Sequence, residues 1–413
     1  MPEPLSHLTP VPASVPITTR GHAFWRGDER FFVKGITYSP RNRDLPRVDR
    51  GAAVDALSPE NLSELQEDIA VVRDLGMNSI FVYYLDPTKD HAEAMKWLEE
   101  QGIYVMVSIF TNLQVPPARP KNMSSFKAHS DTWPQYSRIL VEENLRIVHE
   151  FARYPNLLGF VVSGHTVRSR ANTGMAEVLR AAVRDNKAFI QARGGRHIPV
   201  GVSANDVREL MMKMIRYFSA GSPTERADFH ANECYSWAGP SSFEWSGWSN
   251  MVETIEKTTR MPLLLAEYGA NVRSPRVWDE VLCLYSPEMT GVYSGGFVYT
   301  LIHGQNNYGI IRTGSDGEKK IEKGEFANLQ KSLSIVNARR SEEVYLPRSA
   351  GEVALEKVKP YEQWVGEFPK CDESWKATEE IPPFPGYWQQ VVSDIIGKEG
   401  GIKIGIPVMP NLV

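Results

Sequence analysis

Glu267 is the residue in this sequence whose type and position most clearly could do chemistry. It follows the apolar run LLLA at residues 263–266 and precedes the stretch YGANV. Such a run predicts a buried β-strand, and a carboxylate at the tip of a buried strand can act as a nucleophile or a general base. Burial without a cationic partner would raise its pKa. The same pattern also fits a carboxylate that only accepts a hydrogen bond from a tyrosine.

Three further residues could act together with Glu267. His165 follows the predicted strand LLGFVVSG, and an imidazole suits a proton donor because its pKa is near neutrality; a loop histidine satisfied by backbone groups is the alternative. Glu233 could supply a second carboxylate, although the alternation of side chains along a strand could equally point it away from a site. Tyr235 could donate a hydrogen bond to a ligand or to Glu267, or could have a structural role.

Helical and strand patterns alternate along residues 21–340. Residues 58–76 carry apolar side chains at helical spacing between a serine and a glycine, and the apolar strand NSIFVYYL follows. Repeated units with fully apolar strands predict parallel strands covered by helices. About eight strands, with no glycine-rich phosphate fingerprint after the first, predict an α/β protein with a (β/α)8 TIM barrel. A Pro-rich segment, residues 1–20, precedes the barrel, and residues 341–413 are interpreted as an irregular C-terminal extension that packs on it.

The residues at the predicted strand ends form the candidate substrate-binding set, because TIM-barrel active sites lie at the carboxyl ends of the strands. Trp237 begins a tryptophan-rich stretch, residues 237–248, that could form a lid over the barrel mouth or could pack its own loop. Phe81 could face a site or could fill the barrel. Besides Glu233, the set contains Tyr38, Phe81, Tyr83, Tyr84, Ser108, Asn205, Trp237, Tyr268, Leu301 and His303.

The composition excludes several classes of partner. A net charge of -4 leaves no basic surplus for a nucleic-acid backbone. No apolar run approaches the length of about 18 residues that a membrane span needs, and the Pro-rich start contains no apolar signal segment. Three cysteines are too few for a disulfide framework and favour a cytoplasmic protein with reduced thiols. Because no nucleotide, metal or flavin motif occurs, we expect cofactor-free chemistry on a small-molecule substrate. The oligomeric state stays open.

Several sequence blocks carry a family resemblance. They include FFVKGITYS, YPNLLGFVVSG, ADFHANECYSW, AEYGANV and SGGFVYTLIHG. Their order and spacing resemble those of the fungal cell-wall β-1,3-glucanosyltransferases, glycoside hydrolase family 72, over residues 20–335. The resemblance implies a TIM barrel and retaining transglycosylation, in which one carboxylate attacks the sugar and a second, about 5 Å away, protonates the leaving oxygen. Glu267 falls on the family's nucleophile.

The sequence departs from this family where the second carboxylate is expected. The resemblance places the family's Asn-Glu pair, at the end of strand four, on Gly164 and His165, and no carboxylate occurs between Asn156 and Glu177. We therefore interpret Glu267 as having lost its partner. At other matched positions this chain replaces a residue that the family carries. It has Phe81 where the family has an arginine, Ser108 where it has an aspartate, Leu301 where it has an aromatic residue and His303 where it has an acidic residue. Cysteines of the family are replaced by Leu65, Ala94, Ala238 and Ala270.

These losses lead to one main hypothesis and two alternatives. A less polar cleft favours an apolar ligand, so the main hypothesis is a cofactor-independent biosynthetic enzyme acting on a small fungal secondary metabolite. Cyclisation, isomerisation or a pericyclic reaction would fit, with Glu267, His165 and Tyr235 as catalytic residues. The first alternative is glucanosyl transfer or glycoside hydrolysis, with Glu267 as nucleophile and His165 or Glu233 as acid/base. The second is a non-catalytic glucan-binding protein.

Overall fold

A small antiparallel sheet begins the described part of the chain. The computed structural model describes residues 11–39, 54–109, 138–162, 166–304, 306–314, 318–339 and 360–397. The sheet has the strand order β1, β2, β3, and tight turns join its strands. Its strands are β1 (Ile17–Arg20), β2 (Ala23–Arg26) and β3 (Glu29–Phe31).

Eight parallel strands close into a barrel in which each strand pairs with the next along the chain. The (β/α)8 barrel predicted from the sequence is therefore confirmed. Phe24 of β2 packs against Phe229 with ring centroids 5.3 Å apart, so the small sheet closes the amino end of the barrel. The strands are β4 (Val33–Tyr38), β5 (Ser79–Val82), β6 (Tyr104–Ile109), β7 (Leu157–Val162), β8 (Val200–Ala204), β9 (His230–Ala238), β10 (Leu263–Ala270) and β11 (Tyr293–Val298).

Helices cover the outside of the barrel, as apolar faces at helical spacing require. A short hairpin, β12 (Ile311–Thr313) and β13 (Lys319–Ile321), follows the last barrel strand. Among the described helices, none combines the length and the apolar character needed to cross a bilayer. The helices are α1 (Leu62–Asp74), α2 (Ala92–Glu100), α3 (Arg138–Phe151), α4 (Met175–Arg193), α5 (Arg208–Ser219), α6 (Trp248–Glu256), α7 (Asp279–Leu284), α8 (Pro287–Thr290), α9 (Lys323–Ala338) and α10 (Trp388–Ile396).

Side chains of the strands alternate between the barrel interior and the layer beneath the helices. Phe81, Met106 and Phe297 belong to the cluster that fills the interior. Their chain neighbours Ile80 and Val107 belong to the larger cluster between strands and helices. Since the interior is filled, an open site can form only above it, at the carboxyl ends of the strands.

Residues 360–397, the described part of the C-terminal extension, pack on the barrel and its helices. Trp375 is fully buried, and its ring lies 5.3 Å from that of Tyr217 on α5. The guanidinium of Arg226 donates to the carbonyl oxygen of Tyr361 at 2.6 Å. Apolar burial and hydrogen bonds from a buried cation thus hold the extension against the barrel. The division of the chain at residues 20 and 340 stays a prediction.

A cavity of about 760 Å³ lies between α4, α10 and the loops that enter β8 and β9. Arg196, Tyr361 and Trp388 are among its lining residues. Because these loops lead into the amino ends of the strands, the cavity is at the opposite end of the barrel from Glu267. It is separate from the candidate site described next.

Candidate active site

A β-bulge in β10 turns Glu267 toward the barrel mouth. Between Leu265 and Glu267 the pairing of β10 with β9 slips by one residue. Ala266 already packs in the barrel interior, so strict alternation would turn Glu267 outward. The bulge instead leaves Glu267 on the inner side, while Tyr268 packs in the outer core. The local irregularity therefore aims the carboxylate.

Two tyrosine hydroxyls hold the Glu267 carboxylate. The hydroxyl of Tyr83 donates to Oε1 at 2.5 Å, and that of Tyr235 donates to Oε2 at 2.6 Å. Glu267 is 7% exposed, and burial raises its pKa while the two hydrogen bonds lower it. Both oxygens are thus oriented, and the donors offset part of the cost of burying a charge.

Glu233 places a second carboxyl group beside Glu267. The two residues are register partners on β9 and β10, and such partners have Cα atoms about 4.8 Å apart. Burial, and then the negative charge of Glu267, raise the pKa of Glu233 to about 8. Two negative charges this close disfavour each other, so Glu233 keeps its proton to a higher pH than an ordinary glutamate. The interpretation that Glu267 lacks an acidic neighbour is thereby corrected, because strand six of the barrel places the carboxyl group of Glu233 beside it.

An aromatic wall stands beside the two carboxyl groups. The rings of Tyr235, Tyr299 and Tyr308 pack edge to face, with centroids 5.2 Å apart for Tyr299 and Tyr308 and 5.8 Å apart for Tyr235 and Tyr308. Asn306 donates to the Tyr299 hydroxyl at 3.1 Å. Burial and then the charge of Glu267 raise the pKa of Tyr299. The wall offers aromatic faces and neutral hydroxyls, groups that contact sugars as well as apolar molecules.

Replacing Tyr235 with phenylalanine is expected to weaken any reaction that uses the Glu267 carboxylate. The ring packing would persist, but Oε2 would lose its hydroxyl donor, and the pKa of Glu267 would rise further. We expect turnover at neutral pH to fall by about 10- to 100-fold, because less of the carboxylate is ionised and oriented. The acid limb of the pH–rate profile should move to higher pH. Tyr217→Phe, which removes a buried hydrogen bond to Thr378 on the outside of the barrel, should leave that limb in place.

Of the predicted substrate-binding residues, Phe81 lies in the filled interior below the mouth. Phe81 is 2% exposed and packs between Tyr83, at 4.7 Å, and Phe297, at 5.2 Å. Ser108 is buried on the face of β6 that also carries Met106. Phe81 thus supports the floor of the site, and the predicted loss of polarity in the cleft is corrected at this residue. Ser108 lies one position beyond Val107, level with Tyr83, and stays a predicted binding residue.

Tyr38, Tyr84 and Tyr268 were predicted at the site, and the structure corrects Tyr38 and Tyr268. The hydroxyl of Tyr38 donates to Asp68 of α1 at 3.0 Å, so this side chain points away from the mouth. Tyr268 packs in the outer core after the bulge. Tyr84 lies beyond the end of β5 and is half-buried, and after burial the charges of Asp86, Asp55 and Glu143 raise its pKa.

The predicted aromatic lid is also corrected in part. Trp237 is 5% exposed and packs edge-on against Trp248, with ring centroids 5.0 Å apart. These two indoles pack their loop, whereas Trp245 is 91% exposed. Leu301, predicted to line the site, is fully buried in the outer core, because the chain turns at the end of β11.

The remaining predicted residues lie near the carboxyl strand ends or outside the described residues. Asn205 is half-buried directly after β8. His303 is half-buried, and its Nε2 lies 2.9 Å from Oδ1 of Asn307. His165 lies outside the described residues. Within the described part of the chain, no group of three His, Cys, Asp or Glu residues is arranged to hold a metal ion.

Two residues of the site, Tyr299 and Tyr308, were missed as binding or catalytic candidates, whereas Asp206 lies at a strand end that the sequence does predict. Tyr299 follows β11 directly, two residues before Leu301, so strand-end reasoning could have found it. Asp206 follows Asn205 and accepts a hydrogen bond from the backbone N–H of Tyr235 at 2.8 Å. Tyr308 does not follow a barrel strand directly, and no sequence pattern marks it. Only the folding of the loop after β11 brings it to Tyr235.

A closed (β/α)8 barrel with two carboxyl groups and a tyrosine wall at its carboxyl end defines a glycoside-hydrolase type of barrel. A family model described as glucanosyltransferase, glycoside hydrolase family 72, matches residues 8–337. The chain belongs to this family. It is thus a member of an enzyme family, as the resemblance in the sequence implied.

The relatives and solved structures point the same way. The chain is 36% identical over 308 residues to 1,3-beta-glucanosyltransferase gel1 of Aspergillus fumigatus, covering 74% of this chain and 63% of the relative. It is 32% identical to 1,3-beta-glucanosyltransferase GAS5 of Saccharomyces cerevisiae, covering 78% of this chain and 62% of the relative. The chain thus spans less than two thirds of either relative. The structure of Saccharomyces cerevisiae Gas2p in complex with laminaritetraose and laminaripentaose matches with a TM-score of 0.73 and 26% identity, covering 90% of this chain and 75% of that one.

These findings overturn the main functional hypothesis. The prediction of a cyclase, isomerase or pericyclase acting on an apolar secondary metabolite is wrong, because the relatives are named as glucanosyltransferases and a similar structure binds laminari-oligosaccharides. The prediction treated Phe81 and Leu301 as lining of the cleft. Phe81 instead fills the barrel interior, and Leu301 packs in the outer core.

Proposed function

We propose that this protein transfers segments of β-1,3-glucan between chains, with Glu267 as the nucleophile. The observation that carries the proposal is the buried Glu267 carboxylate at the barrel mouth, held by the hydroxyls of Tyr83 and Tyr235. Family membership and the laminari-oligosaccharides bound by the similar Gas2p structure support the substrate class.

The geometry suits a covalent intermediate. A carboxylate fixed at both oxygens presents a defined lone pair to the anomeric carbon of a bound sugar. The side chain of Glu267 has already lost its conformational entropy before the substrate binds, so this cost does not add to the barrier. Charge leaves Glu267 as the ester forms, so the tyrosine hydroxyls also control how readily the carboxylate departs in the second step. The wall of Tyr235, Tyr299 and Tyr308 provides aromatic faces beside the reacting centre.

The outcome of the second displacement depends on the acceptor. Water gives hydrolysis, and a sugar hydroxyl gives transfer. We propose transfer, because the relatives are named for it, and the β configuration at the donor carbon would be retained by two inversions.

Incubation of the protein with a single laminari-oligosaccharide of defined length tests the proposal. Transfer predicts both shorter and longer β-1,3-linked products from one starting length, separated by high-resolution chromatography and digested by an exo-β-1,3-glucanase. Only shorter products would indicate hydrolysis. A raised melting temperature with oligosaccharide but an unchanged product pattern would indicate the non-catalytic glucan-binding alternative and contradict transfer.

The cellular location remains a prediction. Cys234, Cys283 and Cys371 are all free thiols, with Cys234 buried and Cys371 exposed. Free thiols persist in reducing compartments, and this favours the cytoplasmic location predicted from the sequence. Fractionation of cells that express a tagged copy would test it, and recovery in the secreted fraction would contradict it.

A further inference from the structure

We propose that Glu233 is the acid/base residue of this site and replaces a carboxylate on strand four of the barrel. The assignment rests on the proposed function, because it names the second group that double displacement needs. It is carried by the register of β9 and β10, in which Glu233 is the direct partner of Glu267. Nothing in the sequence around Gly164 supplies a carboxylate for this purpose.

The position of Glu233 follows from strand geometry. Ala231 packs in the barrel interior, and residues two apart share a face, so Glu233 and Tyr235 continue the inner face of β9. The contact of the Tyr235 hydroxyl with Glu267 shows where this face points. Register partners have backbones about 4.8 Å apart, and retaining glycosidases hold their two carboxyl groups about 5 to 5.5 Å apart. Two glutamates that are register partners and share the inner face can therefore bring their carboxyl groups within the reach of a retaining pair.

The surroundings assign the proton to Glu233 and the charge to Glu267. Two hydroxyl donors stabilise the anion of Glu267, and this anion in turn raises the pKa of Glu233 after the larger effect of burial. The backbone N–H of Asp206 donates to Glu233 and partly opposes the increase. The other charged or titratable groups that act on Glu233 or are acted on by it include the Asp206 carboxylate, Arg168, Tyr235 and Tyr299. A protonated acid beside an ionised nucleophile is the starting state that glycosyl transfer requires.

Glu267 and Glu233 together can carry both displacements, with every proton and bond accounted for. In the first, a Glu267 oxygen bonds to the anomeric carbon, the glycosidic C–O bond breaks, and the carboxyl proton of Glu233 moves to the departing sugar oxygen. In the second, the Glu233 carboxylate takes the proton of the acceptor hydroxyl, whose oxygen bonds to the anomeric carbon. The ester bond to Glu267 breaks, and both carboxyl groups return to their starting states.

This assignment predicts a basic limb in the pH–rate profile. Glu233 must be protonated in the first step, so the rate should fall as the pH rises through about 8, the raised pKa of this group. Replacing Glu233 with glutamine removes the titrating group, and that limb should disappear from the residual activity.

Two donors that differ in their need for a proton test the assignment. With a laminari-oligosaccharide, whose leaving group is an alkoxide, Glu233→Gln should lower the rate by at least about 100-fold. With a dinitrophenyl β-laminarioside, whose leaving group departs without a proton, the variant should keep the initial burst of dinitrophenol release. Azide, which attacks without a general base, should restore turnover and yield a β-glycosyl azide. The size of the burst also counts the folded, competent sites in the variant.

A matched control and three outcomes separate the possibilities. Glu280→Gln changes another buried glutamate, on α7, whose pKa burial raises to about 7, and it should keep oligosaccharide transfer. Equal losses with both donors in Glu233→Gln, or no loss with either, would overturn the assignment and leave glucanosyl transfer standing. If His165→Asn, and not Glu233→Gln, lost activity with the oligosaccharide but kept the dinitrophenol burst, the proton would be assigned to His165. Absence of transfer by the unaltered protein would overturn the proposed function and this assignment together.

Discussion

Glu267→Gln is expected to lower glucanosyl transfer by at least about 10³-fold, which corresponds to about 4 kcal/mol in the activation free energy. Glutamine keeps the shape of the side chain and can still bond to the hydroxyls of Tyr83 and Tyr235, but its amide cannot form the glycosyl ester. Binding of the oligosaccharide should survive, because the aromatic wall is unchanged. The loss should therefore appear in kcat more than in KM.

The stability of this variant is part of the expected result. Burial raises the pKa of Glu267, so the buried charge itself does not stabilise the fold. Removing that charge should leave the free energy of unfolding unchanged or slightly increased. A fall in stability together with activity would point to a structural role. Glu280→Gln is the control for the chemical change itself. Retention of more than about a tenth of the activity by Glu267→Gln would contradict a nucleophilic role, given the usual effect of removing one.

Gly269→Ala is expected to destabilise the protein by about 2 to 5 kcal/mol and to disturb the active site. Gly269 follows the bulge, with φ at +107°, a conformation that other residues rarely adopt. An added Cβ would lie 2.6 Å from the indole of Trp278, which is fully buried and cannot withdraw. The strained backbone and the overlap of the new Cβ with Trp278 both destabilise the variant. A shift of β10 that relieves them would also move Glu267.

Urea unfolding measures this effect, and Gly194→Ala is the matched control. Gly194 also has a positive φ, +76°, but an added Cβ there would meet nothing within 4 Å. We expect it to cost only about 1 kcal/mol, from backbone strain alone, with full transfer activity. Equal losses in the two variants would contradict the role of the Trp278 overlap. Normal activity in folded Gly269→Ala would contradict the dependence of Glu267 on this backbone conformation.

Local patterns in the sequence predicted the barrel and the position of Glu267, and they named Glu233 as a candidate without deciding where it points. An apolar run that ends at Glu267 is a buried strand with its tip at the mouth, because each α/β unit repeats the same orientation. Tyr83 and Tyr235 were likewise found from strand ends. Strand-end reasoning failed at Tyr38 and Tyr268, because it fixes the height of a residue along the barrel but not the side to which it points.

The second carboxyl group shows why the functional prediction failed. The family resemblance places the acid/base position at Gly164 and His165, and the absence of a carboxylate there predicts the loss of glycosyl chemistry. Glu233 was weighed, but its orientation could not be decided. The register of β9 against β10 decided it by pairing Glu233 with Glu267. Residues 34 positions apart in the chain became neighbours through hydrogen bonds between strands.

The sequence by itself determined the α/β repeat, the buried strands and the carboxylate at the end of the seventh, because these depend on the period of apolar side chains within short segments. Only the tertiary structure decided which strand-end residues meet. The β10 bulge that turns Glu267 inward and the loop that brings Tyr308 to Tyr235 arise from pairing and packing between distant segments. Such pairing depends on the free energy of the whole barrel, and no local pattern of residues encodes it.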